Sequence, residues 1–361
     1  MEFIKMNFRD ELAKVSPKLR NGADIYVWGA GYGFKHIREQ YKIIHNIELE
    51  LFIHAFIDND PSKHGTEYFG KKVISPDDLE VSKSVVLVSV MNYYDKSIEN
   101  QLIEMGFHWR SDCFDRVYIE WLLRRHMRTQ LSKFINVHHG ERCFIIGNGP
   151  SLKIDDLEYL KNEITFASNQ VYYMFDTTSW RPTYYVVEDG LYMANNDLYY
   201  KATNGIKFFW APGVFQNNNY KSENTYYFDL DFSVSFQQYP YSVDFSKNPG
   251  IFYWSSTVTY TCLQLAVLMG FKNIFLLGVD CNYPYMRKAN GEVFNNKTCA
   301  HFYPDNDNTS DVGICIDFDL HNAGYKAALK YADESGIKIY NATRGGKLEV
   351  FERVNFDNLF K

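Results

Sequence analysis

The run Phe144-Ile-Ile-Gly147-Asn148-Gly149-Pro150-Ser151-Leu152 carries the sharpest chemical signal in the chain. A hydrophobic strand runs into a turn with two glycines, whose missing side chains let backbone amides approach a ligand at a helix start. Asn148 can project a carboxamide into the crevice beyond the strand, and Ser151 can cap the following helix. A plain capped turn would explain Gly147, Gly149 and Ser151, but it explains Asn148 and Pro150 poorly.

A second loop, Gly29-Ala-Gly31-Tyr-Gly33, follows the strand pattern Asp24–Trp28 and precedes a helical stretch. Its amides could receive a phosphate, and Asp58 ends the next strand, where a ribose-binding acid would sit. Gly29, Gly31, Gly33 and Asp58 are therefore candidates for cofactor contact. The spacing is G-x-G-x-G and not the dinucleotide G-x-G-x-x-G, so tight packing of helix on sheet is the competing explanation.

Two histidines could move a proton. His301 lies in the polar, turn-rich Thr298-Cys-Ala-His301-Phe-Tyr-Pro-Asp305, after the strand that ends near Asp280, where ligands of open sheets gather. An imidazole that titrates near neutrality suits removal of a proton from an attacking hydroxyl. His321 stands just before a helix and is the second candidate. Asp280 can orient a substrate or simply form the turn. Cys299-Ala-His301 is too sparse for zinc, so no metal site is assigned.

The elements that must position these groups alternate between strand and helix, which predicts an α/β fold of two Rossmann-like, doubly wound parallel-sheet domains. In the first, strands are expected at Asp24–Trp28, Leu51–Ile57, Lys72–Ile74 and Ser84–Val90, with a helix start at Ser75 and a helix over Tyr94–Met105. Residues 1–125 form this accessory domain, and 126–138 a helical bridge. Residues 139–361 form the second domain, with strands at Cys143–Ile146, Ile164–Ala167, Thr183–Val187, Ile274–Leu277 and Ile337–Tyr340. Helices are expected at Thr257–Met269 and Ala323–Glu334, closed by Gly270 and Gly336. The stretch 195–249, rich in Tyr, Asn, Phe and Ser, reads as a loop-rich, lid-like insertion.

The 361 residues suffice for two cores, and a net charge of −6 argues against nucleic-acid binding. No apolar run approaches a membrane span, and the first residues hold too much charge for a signal peptide. The six cysteines form no CxxC pair. They read as reduced thiols, so the protein is expected in the cytoplasm. Aromatic residues reach 17%, which suits packing and equally a site that stacks rings and donates hydroxyl hydrogen bonds.

The second glycine run resembles the opening of the bacterial CMP-sialic-acid-dependent sialyltransferases. It also marks the related motility-accessory-factor family, which includes the archaeal 6-hydroxymethylpterin diphosphokinases. Ser168-Asn169-Gln170-Val-Tyr172 is similar to a family stretch whose asparagine contacts the nucleotide. Ser255-Ser256-Thr257-Val-Thr259, then Gly270 through Gly278-Val-Asp280, look like two further blocks. Tyr283 and Tyr285 fall where the sialyltransferases place two phosphate-binding tyrosines. Tyr325, Tyr340 to Thr343 and Gly345-Gly-Lys-Leu are also family-like. The resemblance runs in blocks over about 141–350. Glu188-Asp189 stands where the sialyltransferases read the cytosine edge with an asparagine. The N-terminal domain resembles the small Rossmann-like modules that precede many bacterial sugar-modifying enzymes.

The resemblance implies transfer of a sialic or other nonulosonic acid from a CMP-sugar donor to a hydroxyl of a bacterial surface or flagellar glycan. Substrate contacts would fall to Gly147, Asn148, Gly149, Ser151, Asn169, Gln170, Glu188, Asp189, Ser256, Thr257, Asp280, Tyr283 and Tyr285. Tyrosine hydroxyls and helix-terminal amides can stabilise the departing phosphate without metal, so no cofactor is required beyond the donor. An ATP- and magnesium-dependent diphosphokinase is the alternative, with Glu188, Asp189 and Asp280 as conceivable metal carboxylates. A non-catalytic scaffold in polysaccharide biosynthesis is the third reading, and self-association stays open.

Overall fold

The computed structural model describes residues 8–45, 48–90, 97–116, 118–119, 122, 128, 130–188, 205–210, 224–237, 239–246, 248–283, 285–288, 292–295, 301–302 and 316–361. The chain divides into two compact units, Met1–His126 and Met127–Lys361. Both are α/β units built on predominantly parallel sheets.

In the first unit the strands are β1 (Asp24–Trp28), β2 (Ala55–Ile57), β3 (Glu67–Tyr68), β4 (Lys71–Ile74), β5 (Ser84–Val88) and β6 (Cys113–Asp115). Among the described residues they lie in the order β3-β4-β2-β1-β5-β6. Of the described pairings in this sheet, β3 with β4 is antiparallel and the others are parallel. Every residue of β5 is buried, as its unbroken run Ser-Val-Val-Leu-Val requires of a strand covered on both faces. Two short helices come first, α1 (Phe8–Ala13) and α2 (Pro17–Arg20). Helix α3 (Tyr32–His45) follows β1 and buries Phe34, Ile37 and Tyr41, one face of a helical repeat.

Some elements are shorter than their sequence pattern. The strand expected over Leu51–Ile57 reduces to β2, because Leu49–Phe52 closes as a 3-10 turn. Ser75 caps a single 3-10 turn through a capping box with Asp78 and starts no longer helix. The helix expected over Tyr94–Met105 is α4 (Ser97–Glu104); residues 91–96 lie outside the described residues.

The second unit holds β7 (Arg142–Ile146), β8 (Thr165–Ser168), β9 (Tyr184–Val187), β10 (Ile206–Trp210), β11 (Thr225–Asp231), β12 (Ile251–Tyr253), β13 (Asn273–Leu277), β17 (Lys338–Asn341) and β18 (Glu352–Arg353). Their order is β12-β11-β10-β9-β8-β7-β13-β17-β18, with every described pairing parallel. A small sheet of β14 (Tyr285–Arg287), β15 (Val293–Asn295) and β16 (Ile316–Asp317) stands apart from it. The chain leaves β7 toward β8 and later returns to the other side of β7 with β13. That reversal opens a crevice at the carboxyl ends of β7 and β13.

The 195–249 stretch differs from its loop-rich reading. It contributes β10 and β11 to the sheet, with Phe208, Tyr226 and Phe228 in the core. Phe208, Tyr226 and Phe228 are framework, whereas Tyr239 is 63% exposed. Leu131 and Phe134, read as bridge, also pack into this core.

The helices of this unit are α5 (Ile154–Tyr159), α6 (Val258–Leu268) and α7 (Phe318–Ser335). Helix α6 is buried from Thr259 to Leu268. Its fully buried Gln264 accepts from the amides of Ser246 and Tyr253 and donates to the Tyr253 carbonyl. Such pairing offsets the desolvation of a core carboxamide, which unpaired would cost about 1–3 kcal/mol.

Candidate functional site

The crevice between β7 and β13 gathers three loops. Gly147–Ser151 leaves β7, Gly278–Asn282 leaves β13, and Ala342–Lys347 leaves β17. The first two are stitched by amides of Gly147 and Gly149 donating to the carbonyls of Leu277 and Gly278, both at 2.8 Å. The third joins through Lys347, whose amide donates to the Asp280 carbonyl at 2.7 Å, and through Thr343, whose hydroxyl accepts from Val279 at 3.1 Å.

This packing gives the glycines a definite reason. A Cβ on Gly147 would stand 2.4 Å from the Gly278 carbonyl oxygen, and one on Gly149 would stand 1.9 Å from the Asp280 carboxylate. Gly346 is excluded from carrying a side chain on two grounds, a φ of +74° and a contact of 2.7 Å with the Asp280 carbonyl. Ser151 does not cap a helix. Its hydroxyl donates to Asp280 at 2.7 Å, and α5 begins three residues later at Ile154. Asp280 is buried, and that burial raises its carboxyl above the usual range, opposed by the Ser151 hydrogen bonds.

Beside β7, the Asn148 amide nitrogen donates to the Ser168 carbonyl at 3.1 Å. A carbonyl can only accept, so the partnering atom is the NH2 and Oδ1 is left as an acceptor. That Oδ1 is buried without a partner, and so is the Oδ1 of Asn169. Asn169 holds a left-handed φ of +49°, while its carbonyl accepts from the Tyr185 hydroxyl at 2.5 Å. Two unpaired buried acceptors and a strained backbone at adjoining strand ends are features that collect at ligand sites. Gln170 follows, half-buried, in the 3-10 turn Asn169–Met174. Glu188 lies half-buried just past β9, and Asp189 falls outside the described residues.

Across β13, Cys281 takes a left-handed φ of +50°, and Asn282 follows with its own buried, unpartnered Oδ1. Tyr283 stacks on His321, ring centres 5.5 Å apart and planes at 22°. Tyr325 stacks on the same imidazole at 6.0 Å and 20°. His321 is 3% exposed in the first turns of α7, with Nε2 unpartnered. Burial lowers its pKa to about 4, against the opposing charge of Asp317, so the ring is neutral at pH 7. Burial likewise raises the Tyr283 phenol, which stays protonated and remains a donor. Tyr285 opens β14.

His301 is half-buried, and the amide of its neighbour Phe302 donates to the Asn148 carbonyl at 2.9 Å. The chain thus brings His301 to the β7 loop and His321 to the β13 loop. Thr257 caps α6 by accepting from the Thr259 amide at 3.3 Å, which gives it a helix-starting role. Ser256 holds a φ of +56° between that cap and Ser255, whose hydroxyl donates to Leu320 of α7 at 2.8 Å. Among the described residues no three His, Cys, Asp or Glu side chains gather as a metal site. Asp189 is not among them, so the carboxylate trio is not assembled from what is described.

Asn282 was not singled out from sequence, nor was the Thr343–Lys347 clasp. The tandem Gly345-Gly346 after a strand was the available signal for the second. A lone Asn between Cys and Tyr offers none.

In the first unit, Asp58 accepts from the Ala30 amide at 3.2 Å and the Asp60 amide at 3.0 Å, and pairs with Lys63 at 2.7 Å. Its carboxylate is committed inside the protein. Gly29 needs its freedom, at φ +107° with Ser89 Oγ 3.0 Å from where a Cβ would sit.

The class this architecture defines is a two-unit α/β protein with a switch-point crevice in each sheet. Residues 122–285 match the MptE-like family, described as 6-hydroxymethylpterin diphosphokinase MptE-like, and residues 22–110 match the C2185-like N-terminal family. The chain therefore carries an MptE-like domain behind a C2185-like N-terminal domain. No curated protein matches it. The solved MAf glycosyltransferase from Magnetospirillum magneticum AMB-1 aligns over 99% of this chain at 12% identity and a TM-score of 0.36. This chain spans 63% of that protein's length. No described helix is long and apolar enough to cross a membrane.

Proposed function

We propose that the C-terminal unit is a glycosyltransferase. It moves a nonulosonic-acid-type sugar from a CMP-linked donor to a hydroxyl of a bacterial surface or flagellar glycan. The observation that carries the reading is the set of unpartnered buried atoms flanking one switch-point crevice. Asn148 and Asn169 present acceptors on the β7–β8 side, and a neutral imidazole with a vacant Nε2 stands on the β13 side. Acceptors suit the hydroxyls of a ribose and the amino group of a cytosine.

In this reading His321 takes the proton of the acceptor hydroxyl as that oxygen bonds to the sugar's anomeric carbon. The bond from that carbon to the phosphate oxygen breaks, and its electrons leave with CMP. Tyr283, held protonated, donates to the departing phosphate. The Asn148 and Asn169 oxygens and the His321 Nε2 are shut from solvent, so donor entry requires the loops to part, and their closure keeps water from competing for the sugar. His321 is preferred over His301 as the base because its Nε2 is both neutral and unengaged.

The MptE-like match supports a second reading, diphosphoryl transfer from ATP and magnesium. Calorimetry with CMP in EDTA separates the two. Metal-free CMP binding is the expected result, and binding confined to ATP with magnesium would replace the transferase reading with the diphosphokinase.

A further inference from the structure

The first unit has a switch point of its own, between β1 and β5, and a cavity of about 360 Å3 opens there. Its lining includes Trp28, the Gly29–Gly33 turn, Asp58, Lys63, Ser89 and Val90. Nothing in the transferase reading uses it.

The chemistry of that lining is one-sided. The acid expected to hold a ribose is already spent, on two backbone amides and on Lys63. The Ser89 hydroxyl is also spent, donating to the carbonyls of Trp28 and Gly29 at 3.1 and 3.0 Å. What remains is a set of donors. Trp28 is 1% exposed, lines the cavity, and its indole Nε1 is buried without a partner. Lys63 keeps 41% of its side chain exposed, leaving protons beyond the one given to Asp58. The first amides of α3 have no partners within the helix and carry its positive dipole end. At the rim, Tyr32 lies 68% exposed, an apolar ring left in water. Val90 and Ile98 supply apolar wall.

We propose that this cavity binds a mononucleotide-sized phosphorylated ligand. The phosphate sits on the amides of Gly31–Gly33 and on Lys63, with Trp28 Nε1 donating, and the ligand's ring lies on Tyr32. A dinucleotide is disfavoured twice. No carboxylate among the described lining residues is free for its ribose, and the volume lies at the small end of the ~300–1,000 Å3 usual for ligand cavities.

The test uses the full chain labelled with 5-fluorotryptophan, with the Trp28 fluorine signal assigned through Trp28→Phe. Uridine monophosphate is the probe, beside uridine, inorganic phosphate and NAD. Saturable movement of the Trp28 signal is expected with uridine monophosphate, weaker movement with phosphate, and none with uridine. Lys63→Met should raise the dissociation constant about tenfold or more, as for loss of a hydrogen bond to a charged group. Tyr32→Ala, at an exposed position, should weaken the nucleotide and leave phosphate unchanged. An unmoved Trp28 signal, an equal response to uridine, or Lys63→Met binding like wild type would each overturn the proposal. Tighter binding of NAD, lost in Asp58→Asn, would replace it with the dinucleotide reading. The readout lies in the first unit, so it does not depend on whether the second unit transfers a sugar.

Discussion

The His321 imidazole lies nearly parallel to the Tyr283 ring, 5.5 Å between centres, in a stack that Tyr325 continues on α7. This couples the group proposed to accept a proton to the group proposed to hold the phosphate. Displacing either ring moves the other, so mutations here are expected to be non-additive.

The first prediction follows from the lowered pKa of His321. His321→Ala should reduce turnover by roughly 10²–10⁴-fold, the usual contribution of a general base, with CMP affinity near wild type. The acidic limb of the wild-type pH–rate profile should fall near pH 4, where this imidazole gains its proton. A limb near 6.5, the value of an ordinary histidine, would point to a different base. His301→Ala is the control and should retain turnover.

The same burial makes a stability prediction. The pKa is about 4 in the folded protein against 6.5 for an unperturbed histidine, so the unfolded chain binds the proton first as pH falls. Stability from the neutral imidazole is fully present above pH 6.5 and is lost as pH drops toward 4. A gap of this size corresponds to roughly 3 kcal/mol. His321→Phe, which keeps a ring in the stack, should flatten that part of the pH dependence. Urea denaturation of both proteins at pH 7, 5.5 and 4.5 measures it, and equal slopes would reject the assignment.

Gly149→Ala tests the packing of the crevice. The added carbon would stand 1.9 Å from the Asp280 carboxylate and 2.7 Å from the Gly278 carbonyl. The strands behind these loops cannot separate cheaply, so a loss of about 1–3 kcal/mol or more is expected from overpacking alone. Gly31→Ala is the contrasting case, with nothing within 4 Å of the new carbon. Its thermal midpoint should stay close to wild type.

Asn282→Ala removes a buried oxygen that has no partner. Such an atom costs about 1–3 kcal/mol in desolvation, so the ligand-free protein should be no less stable than wild type. Binding of the CMP-sugar should weaken if that oxygen meets the substrate. A lower melting temperature together with unchanged affinity would make Asn282 structural.

Much of the fold is legible in the residues. The all-apolar runs at Cys143–Ile146 and Ile274–Leu277, and the helix ends at Gly270 and Gly336, follow from local hydrophobicity and turn chemistry. So does the existence of both glycine turns. The 195–249 stretch escaped because aromatic residues alternate poorly with polar ones there, and only burial against neighbouring strands makes Lys207 and Asp229 part of a sheet.

Tertiary structure alone decided what the marked residues touch. Sequence shows that Gly149 and Ser151 sit in a turn, and only strand order brings them against Asp280, 129 positions along the chain from Ser151. The two candidate histidines are the same residue type in sequence, and burial beside two tyrosines holds His321 neutral with an open nitrogen. Asp58 has the position of a ribose acid, yet the Ala30 amide, 28 positions away, engages it together with the local Lys63. Residue type fixes the chemistry a side chain can do, because that depends on its own atoms. Which of those capacities stays unspent depends on neighbours distant in sequence, and those are set by the order of strands in the sheet.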